Sequence, residues 1–339
     1  MATTAASRPN PERIFNTLTA YQQTEALKAA IALDLFTVIG SGANQPGMAA
    51  AQIKASERGV RILCDYLTIH GFLEKENGTY SLTPESAMFL NKKSPAYMGS
   101  IVGFISDKMH VESFGMLAEA VRKGGTASDH GDNTKPQDQM WVKFAKAMAP
   151  LTLPMAAFIA KTIGASEGKP MKVLDIAAGH GMYGITIAKQ NPNAKIVAAD
   201  WPAVLEVAKE NAQKAGVGER YATRPGSAFE GDLGDGYDYV LLTNIAHHFD
   251  PPTCETLFKR VHKTLRPGGK AVILEFVPNE DRVSPPTAAG FSLVMLANTE
   301  SGDAYTFAEY EKMLQNAGFA KTSFHPVPEF PQQVIISEK

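Results

Sequence analysis

Val173-Leu174-Asp175-Ile176-Ala177-Ala178-Gly179-His180-Gly181-Met182-Tyr183-Gly184 decides how the chain is read. The first four residues have the texture of a buried strand, and the apolar-periodic residues after Gly181 open a helix. Between them the glycines fit G-x-G-x-x-G. Small residues let the backbone come close to a ligand, and the helix start presents free N–H groups. Such a loop suits a dinucleotide pyrophosphate or the methionine carboxylate of S-adenosylmethionine. Asp175 favours the second, because an anion just ahead of the glycines opposes a pyrophosphate but tolerates a ligand carrying an ammonium and a sulfonium. Asp200 ends the next apolar run, where a carboxylate can accept ribose hydroxyls, and both cofactor classes want it. The bland alternative is a tight turn at Gly179 and Gly181 with Asp175 capping the helix.

Outward from this loop, Ile196–Asp200, Tyr237–Leu242 and Ala271–Glu275 read as further buried strands, with Gln333–Ser337 as the last. Helical stretches alternate with them, so the expected fold is α/β, a mostly parallel, seven-stranded Rossmann-like sheet. Upstream the texture differs. Apolar residues recur at helical spacing from Pro11 to about Ile39, and two short helices follow over Met48–Ile53 and Val60–His70. The run Phe72–Leu82 carries Asn77-Gly78, a strong hairpin signal. Together these make a mainly α-helical winged-helix domain. The expected division is residues 1–100, a helical connector over 101–165 that contributes to a substrate pocket, and a cofactor-binding domain over 166–339. The acceptor pocket is expected between the two domains.

Composition narrows the function classes. The 339 residues are 44% hydrophobic and 20% charged, with formal net charge −2 from Lys+Arg 33 and Asp+Glu 35. There is no broad basic field for a phosphate backbone, so nucleic acid is not an expected partner. A winged helix raises the reading of a DNA-binding regulator. Against it, the second helix offers Ile62, Leu63, Tyr66, Leu67 and Ile69 beside Arg58 and Arg61, a surface suited to subunit packing. No apolar run reaches the roughly 20 residues that span a bilayer, so no membrane partner is expected. The two cysteines, Cys64 and Cys254, suggest no disulfide framework, and the expected location is cytoplasmic. No histidine has metal-ligand spacing with other donors, and no metal site is expected.

Several segments together resemble a known family. They are Val173 to Gly181, Ala199-Asp200-Trp201-Pro202-Ala203-Val204, Asn244-Ile245-Ala246-His247-His248-Phe249, Leu265 to Lys270, and Phe307 to Phe319. In this order, behind a winged helix, they are similar to the class I S-adenosylmethionine-dependent O-methyltransferases. That family includes the caffeic acid, acetylserotonin and bacterial polyketide enzymes. Ala177-Ala178 in place of glycines, and Thr243 where plant members often carry Lys, point to a bacterial-type branch.

The resemblance implies residue roles. Asp175, Gly179 and Gly181 would hold the amino-acid end of the cofactor, Asp200 the ribose, and Trp201 would lie beside the adenine. Ser227, Ala228, Phe229 and Asn244 would complete the cofactor contacts, with Ser227 replacing an Asp that the family often has. His247 would be the general base, held by Glu275. A second family glutamate would fall near Ala304 and is absent, which leaves Asp303 as a candidate substitute. His248 is assigned to packing. Helical spacing puts Trp141, Phe144 and Met148 on one face of one apparent helix and Phe291 and Met295 on one face of another, as candidate acceptor walls with ordinary core as the bland alternative, and the resemblance favours Met148, Phe291 and Met295 among them.

The chemistry agrees with these roles. A phenol with pKa near about 10 is protonated at neutral pH, and a histidine with pKa about 6.5 is a suitable base. The expected activity is therefore methyl transfer to a hydroxyl of a small aromatic or polyketide-like molecule. The alternatives are C- or N-methyl transfer on the same fold, or a nicotinamide dehydrogenase. The apolar N-terminal helices lead to the expectation of a homodimer.

Overall fold

A computed structural model describes residues 9–129 and 138–339. The chain divides into two compact units, Met1–Val102 and Gly103–Lys339.

In the first unit the helical periodicity is broken once. The helix Glu12–Ala32 ends at Leu33, and Asp34 turns left-handed (φ 57°) before a short helix over Leu35–Ile39. The two helices of the winged motif are Pro46–Ile53 and Glu57–Ile69, the second capped by the Ser56 hydroxyl, which accepts from Gly59 N. Strands β1 (Leu73–Glu76) and β2 (Thr79–Leu82) pair antiparallel. Asn77 and Gly78 both have positive φ (47° and 79°), the combination a two-residue turn of the I′ type requires. Leu35, Phe36, Val60, Cys64, Leu67, Leu73 and Tyr80 form the core of this unit. Asp65 locks helix to hairpin, accepting from Arg61 (3.0 Å), Lys75 (2.6 Å) and the Tyr80 hydroxyl (2.8 Å). On the first helix Ile14, Phe15, Leu18 and Tyr21 each remain more than 60% exposed, at 63%, 61%, 67% and 64%.

The second unit is built on a seven-stranded sheet. Its strands are β3 (Met171–Ile176), β4 (Ala194–Asp200), β5 (Tyr221–Pro225), β6 (Tyr237–Thr243), β7 (Leu265–Phe276), β8 (Lys321–His325) and β9 (Gln332–Glu338). Their spatial order is β5-β4-β3-β6-β7-β9-β8. The first five are parallel, and β9 runs antiparallel to both β7 and β8. The central strands are buried on both faces, which explains their continuous apolar runs. Val173, Leu241, Val272 and Leu274 point to one face, and Leu174, Ile176, Val240, Leu242 and Ile273 to the other. This is the period-two alternation of a pleated strand.

Topology fixes where a ligand can bind. The chain runs outward from β3 through β4 to β5, then crosses back to lay β6 on the other side of β3. Strand order therefore reverses at β3, and the crevice beyond the carboxyl ends of β3, β4 and β6 is the switch point where open α/β sheets hold ligands. Among the described residues, no single helix is long and apolar enough to cross a bilayer.

Candidate active site

A cavity of about 450 Å³ lies at this switch point, lined wholly by residues of the second unit. Its size is that of a small-molecule site.

One wall is the loop that follows β3. Ala177 (φ 53°), Gly179 (φ 57°) and Gly181 (φ 75°) all adopt left-handed backbone, which turns the chain sharply into the helix Met182–Gln190. At Gly181 a side chain is also excluded by packing, since a Cβ would run into the Tyr221 hydroxyl and lie 3.0 Å from Ala208 Cβ. His180 lines the cavity, and its Nδ1 accepts from Met182 N at 3.1 Å. Its ring proton therefore sits on Nε2, and burial pushes its pKa down to about 4.

Two carboxylates stand behind and beside this loop. Asp175 is fully buried; one oxygen accepts from Gly184 N at 3.3 Å and the other, Oδ1, has no partner. Its pKa is raised to about 7, chiefly by desolvation, with the Gly184 bond opposing the rise and the charge of Asp200 adding to it. Asp200 closes β4 and faces the cavity, with Oδ2 accepting from Gly179 N (2.8 Å) and Oδ1 from Trp201 N (2.6 Å). Burial raises its pKa as well. Each of these oxygens keeps a second lone pair for a ligand hydroxyl. Two desolvated acids, one with an orphaned oxygen and neither paired with a cation among the described residues, make a poor seat for a pyrophosphate. The same pair suits a ligand that brings its own positive charge, so the residues fit S-adenosylmethionine.

His247 sits on a single 3-10 turn, Ala246–His248, just past β6. Its Nδ1 lies 2.5 Å from Glu275 Oε2, and Glu275 is fully buried near the end of β7. The other Glu275 oxygen accepts from Ile245 N (2.9 Å) and Ala246 N (2.8 Å). One carboxylate thus fixes both the imidazole and the turn that carries it. The Cys254 thiol donates to Ala246 O (3.2 Å) and the Tyr305 hydroxyl to Phe249 O (2.6 Å), holding the turn from two more sides. With Nδ1 committed to Glu275, Nε2 is the nitrogen free to exchange a proton.

The site residues expected from the sequence fall into distinct places. Gly179, Asp200, Trp201, Ser227, Ala228, Phe229 and Asn244 line the cavity, as do Trp141, Phe144 and Met148. Asp175 lies behind the loop and Gly181 closes it at the helix start, and neither is among the lining residues. Phe291 stacks on Phe276 (centroids 3.8 Å, interplanar angle 13°) and meets the His247 ring edge-on at 4.9 Å, while Met295 on the same helix is buried. Asp303 is engaged by Arg282 (3.2 Å) and Ala304 N (2.8 Å). Sequence reasoning assigned His248 to packing and gave no site role to His180, Phe249, Thr152 or Met155, and all five lie on the cavity wall. The first three are neighbours of residues that were singled out, and proximity in sequence was the available signal. Thr152 and Met155 carried none, because their placement depends on how the helix Leu153–Thr162 meets the sheet.

Comparison with known proteins gives a consistent result. Residues 117–320 match the family model of an O-methyltransferase domain, and residues 15–92 match an O-methyltransferase dimerisation domain. The 3-hydroxy-5-methyl-1-naphthoate 3-O-methyltransferase of Streptomyces sahachiroi is 27% identical over 311 residues, covering 91% of this chain and 89% of that protein. PigF of Serratia sp., an S-adenosyl-L-methionine-dependent methyltransferase, is 24% identical over 333 residues, covering 96% and 94% of the two chains. A structure of PigF with S-adenosylhomocysteine superposes with TM-score 0.86 at 25% identity, over 98% of this chain and 100% of that one. A solved structure from Nostoc punctiforme, described as a candidate O-methyltransferase, is 49% identical with TM-score 0.94, over 98% and 100%.

Proposed function

The chain belongs to the S-adenosylmethionine-dependent O-methyltransferases with an N-terminal dimerisation domain, and from that premise we propose that it methylates a hydroxyl of a small aromatic or polyketide-like acceptor, with His247 as general base. The observation that carries this proposal is the buried hydrogen bond between His247 Nδ1 and Glu275 Oε2 beside a cofactor-sized cavity.

When bound, S-adenosylmethionine supplies a methyl group already activated on a sulfonium, which leaves sulfur as the new carbon–oxygen bond forms. What remains for the protein is position and the acceptor's proton. Asp200 would accept the ribose hydroxyls, Trp201 and Ser227-Ala228-Phe229 would bound the adenine, and the Gly179 loop with Asn244 would hold the amino-acid end. Asp175 sets the loop's conformation through Gly184, and Gly181 lets the helix start pack closely. His247 Nε2 takes the hydroxyl proton as the oxygen becomes nucleophilic, and Glu275 stabilises the resulting imidazolium and fixes its tautomer. Asp303, the other candidate carboxylate, pairs with Arg282 (3.2 Å).

Trp141, Phe144 and Met148 offer an apolar, aromatic wall to a flat acceptor, and Phe291, on the helix that also carries Met295, meets the His247 ring edge-on. The Streptomyces relative, named for a hydroxyl of a naphthoate, lends weight to this acceptor class. Methyl transfer to nitrogen would leave the His247–Glu275 pair without a hydroxyl proton to take, whereas transfer to the ring carbon of a phenol, the activity for which the Streptomyces lavendulae relative L-tyrosine C(3)-methyltransferase is named, would still use it. The family's dimerisation domain and the exposed apolar stripe of the first helix support a homodimer, and two buried free cysteines agree with a cytoplasmic setting. A panel of catechols, flavonoids, hydroxyquinones, phenazines and hydroxynaphthoates, read by mass, tests the acceptor class. A gain of about 14 daltons on oxygen in at least one aromatic class is expected, whereas exclusive modification of carbon or nitrogen would contradict it.

A further inference from the structure

His247 is carried by a short, poorly self-supported piece of backbone. It sits on one 3-10 turn, whose own bonds, His248 N to Ile245 O and Phe249 N to Ala246 O, are both 3.2 Å long. Turns of this type have weak hydrogen-bond geometry, so their position is set by what they rest on. Among the described residues His248 lines the cavity and His247 does not. A small rotation of the turn therefore decides how far the base reaches.

Glu275 fixes the start of the turn, at Ile245 N and Ala246 N. Its far end is fixed from another segment. The Tyr305 hydroxyl donates to Phe249 O at 2.6 Å, and Tyr305 is only 3% exposed. Burial, first among several causes, raises the pKa of that hydroxyl, so it stays a donor. Gly302 lies against the base itself, since a Cβ there would run into His247 O and come 2.9 Å from His248 C. Both residues belong to a stretch tied down at each end. Gly302 N donates to Thr299 Oγ1 (2.9 Å), which donates to Met295 O (2.8 Å) in the last turn of the helix Pro286–Asn298. Tyr305 precedes Thr306, which caps the helix Phe307–Asn316 through reciprocal bonds with Glu309. The turn thus rests on a fixed support with no room for an added methyl group.

We propose that Tyr305 and Gly302 are positioning residues for the base: the Tyr305 hydroxyl anchors the far end of the turn at Phe249 O, and Gly302 lets His247 settle where Glu275 holds its Nδ1. Without that anchor the turn is free to rotate about its Glu275-bound start, and the imidazole is the group displaced. Neither residue is among those that line the cavity, so they act through His247 and not by touching a ligand there. This rests on the reading of His247 as base and adds the residues that aim it.

The test uses acceptors that differ in whether a proton must be taken. Catechol is protonated at about pH 8, as a phenol with pKa about 10 is, whereas the nitro group of 4-nitrocatechol leaves a hydroxyl ionised there. Tyr305→Phe, which removes one oxygen and keeps the ring, and Gly302→Ala are assayed in single turnover on the full-length enzyme, with His247→Ala as reference. Both positioning variants are expected to lose about 10- to 100-fold on catechol and less than about threefold on 4-nitrocatechol, and to bind S-adenosylhomocysteine like the wild type. Should Gly302→Ala fail to fold, Tyr305→Phe decides alone. A second readout needs no turnover. In enzyme carrying isotope-labelled histidine, the low-field proton of the His247–Glu275 bond, assigned by its absence from His247→Ala, is expected in the wild type and is expected to be lost or broadened in Tyr305→Phe. Equal losses on both acceptors in Tyr305→Phe, no loss on catechol, or a resonance missing from the wild type or unchanged in the variant would overturn the proposal. A selective loss in His247→Ala beside equal losses in Tyr305→Phe strikes the proposal alone, whereas equal losses in His247→Ala bring down the base and the proposal with it. A Tyr305-dependent resonance in an enzyme that methylates neither acceptor would leave the positioning role standing and count against the acceptor class instead.

Discussion

At the scale of single residues, Asp175 and Glu275 show how burial is turned to use. The folded pKa of Asp175 is raised to about 7 from an ordinary 3.8, chiefly by desolvation. The folded chain therefore holds this proton more tightly than the unfolded chain does. Its contribution to stability is fully present below 3.8 and is lost as pH rises through about 7. Asp175→Asn removes the titration, so the decline in Tm between about pH 5 and pH 7.5 should be shallower than in the wild type. Parallel Tm profiles for the two proteins would count against a raised Asp175. Glu275 is different in that each of its oxygens is bonded. In Glu275→Gln the carboxamide oxygen can still accept from Ile245 N and Ala246 N, but its NH₂ cannot accept from His247 Nδ1. The imidazole is then driven to the wrong tautomer, and turnover is expected to fall by about 10²-fold or more at little cost in Tm. Turnover within threefold of wild type would separate Glu275 from the base.

At the scale of elements, what the sequence made legible follows burial closely. Strands β3, β4, β6 and β7 read as apolar runs because both their faces are covered, and the acid closing β3 and β4 marked the ligand edge. Strands β5 (Tyr-Ala-Thr-Arg-Pro) and β8 (Lys-Thr-Ser-Phe-His) escaped because they sit at or toward the sheet edges, with little to bury and so no pattern to read. The break at Asp34 escaped for another reason, since helical periodicity continues across it while a single left-handed residue ends the helix. In the site, the residues with charge or a special backbone were legible. His248 was assigned to packing, and spacing does not encode that its ring also reaches the cavity wall. The loop after β3 also carries a cost visible only in the backbone. Ala177 is held at φ 53°, a conformation that disfavours a Cβ by about 1–2 kcal/mol. Ala177→Gly should relieve that strain, offset in part by the greater freedom glycine has when unfolded, for a net gain of about 0.5–1 kcal/mol. Thermal denaturation checks this, and a lower Tm would mean that the Ala177 methyl contributes more by packing than it costs in strain.

At the scale of the whole molecule, each of the two units has its own core, and the sheet-bearing unit contains every residue that lines the cavity. The first unit contributes a helix with Ile14, Phe15, Leu18 and Tyr21 on its surface, more apolar side chains than a solvated helix keeps in a row. If that stripe is the seam of a homodimer, sedimentation should give a dimer at micromolar concentration, and Leu18→Glu should shift it to monomer. A wild-type monomer under those conditions would remove the seam. The central claim, that the cavity delivers a methyl group to a hydroxyl whose proton goes to His247, is tested most directly by His247→Ala in a single-turnover assay with an acceptor the wild type methylates. Affinity for S-adenosylhomocysteine is measured on the same sample. The expected result is cofactor affinity within about threefold of wild type and a methyl-transfer rate lower by about 10²–10⁴-fold. A rate close to wild type with the cofactor fully bound would contradict it.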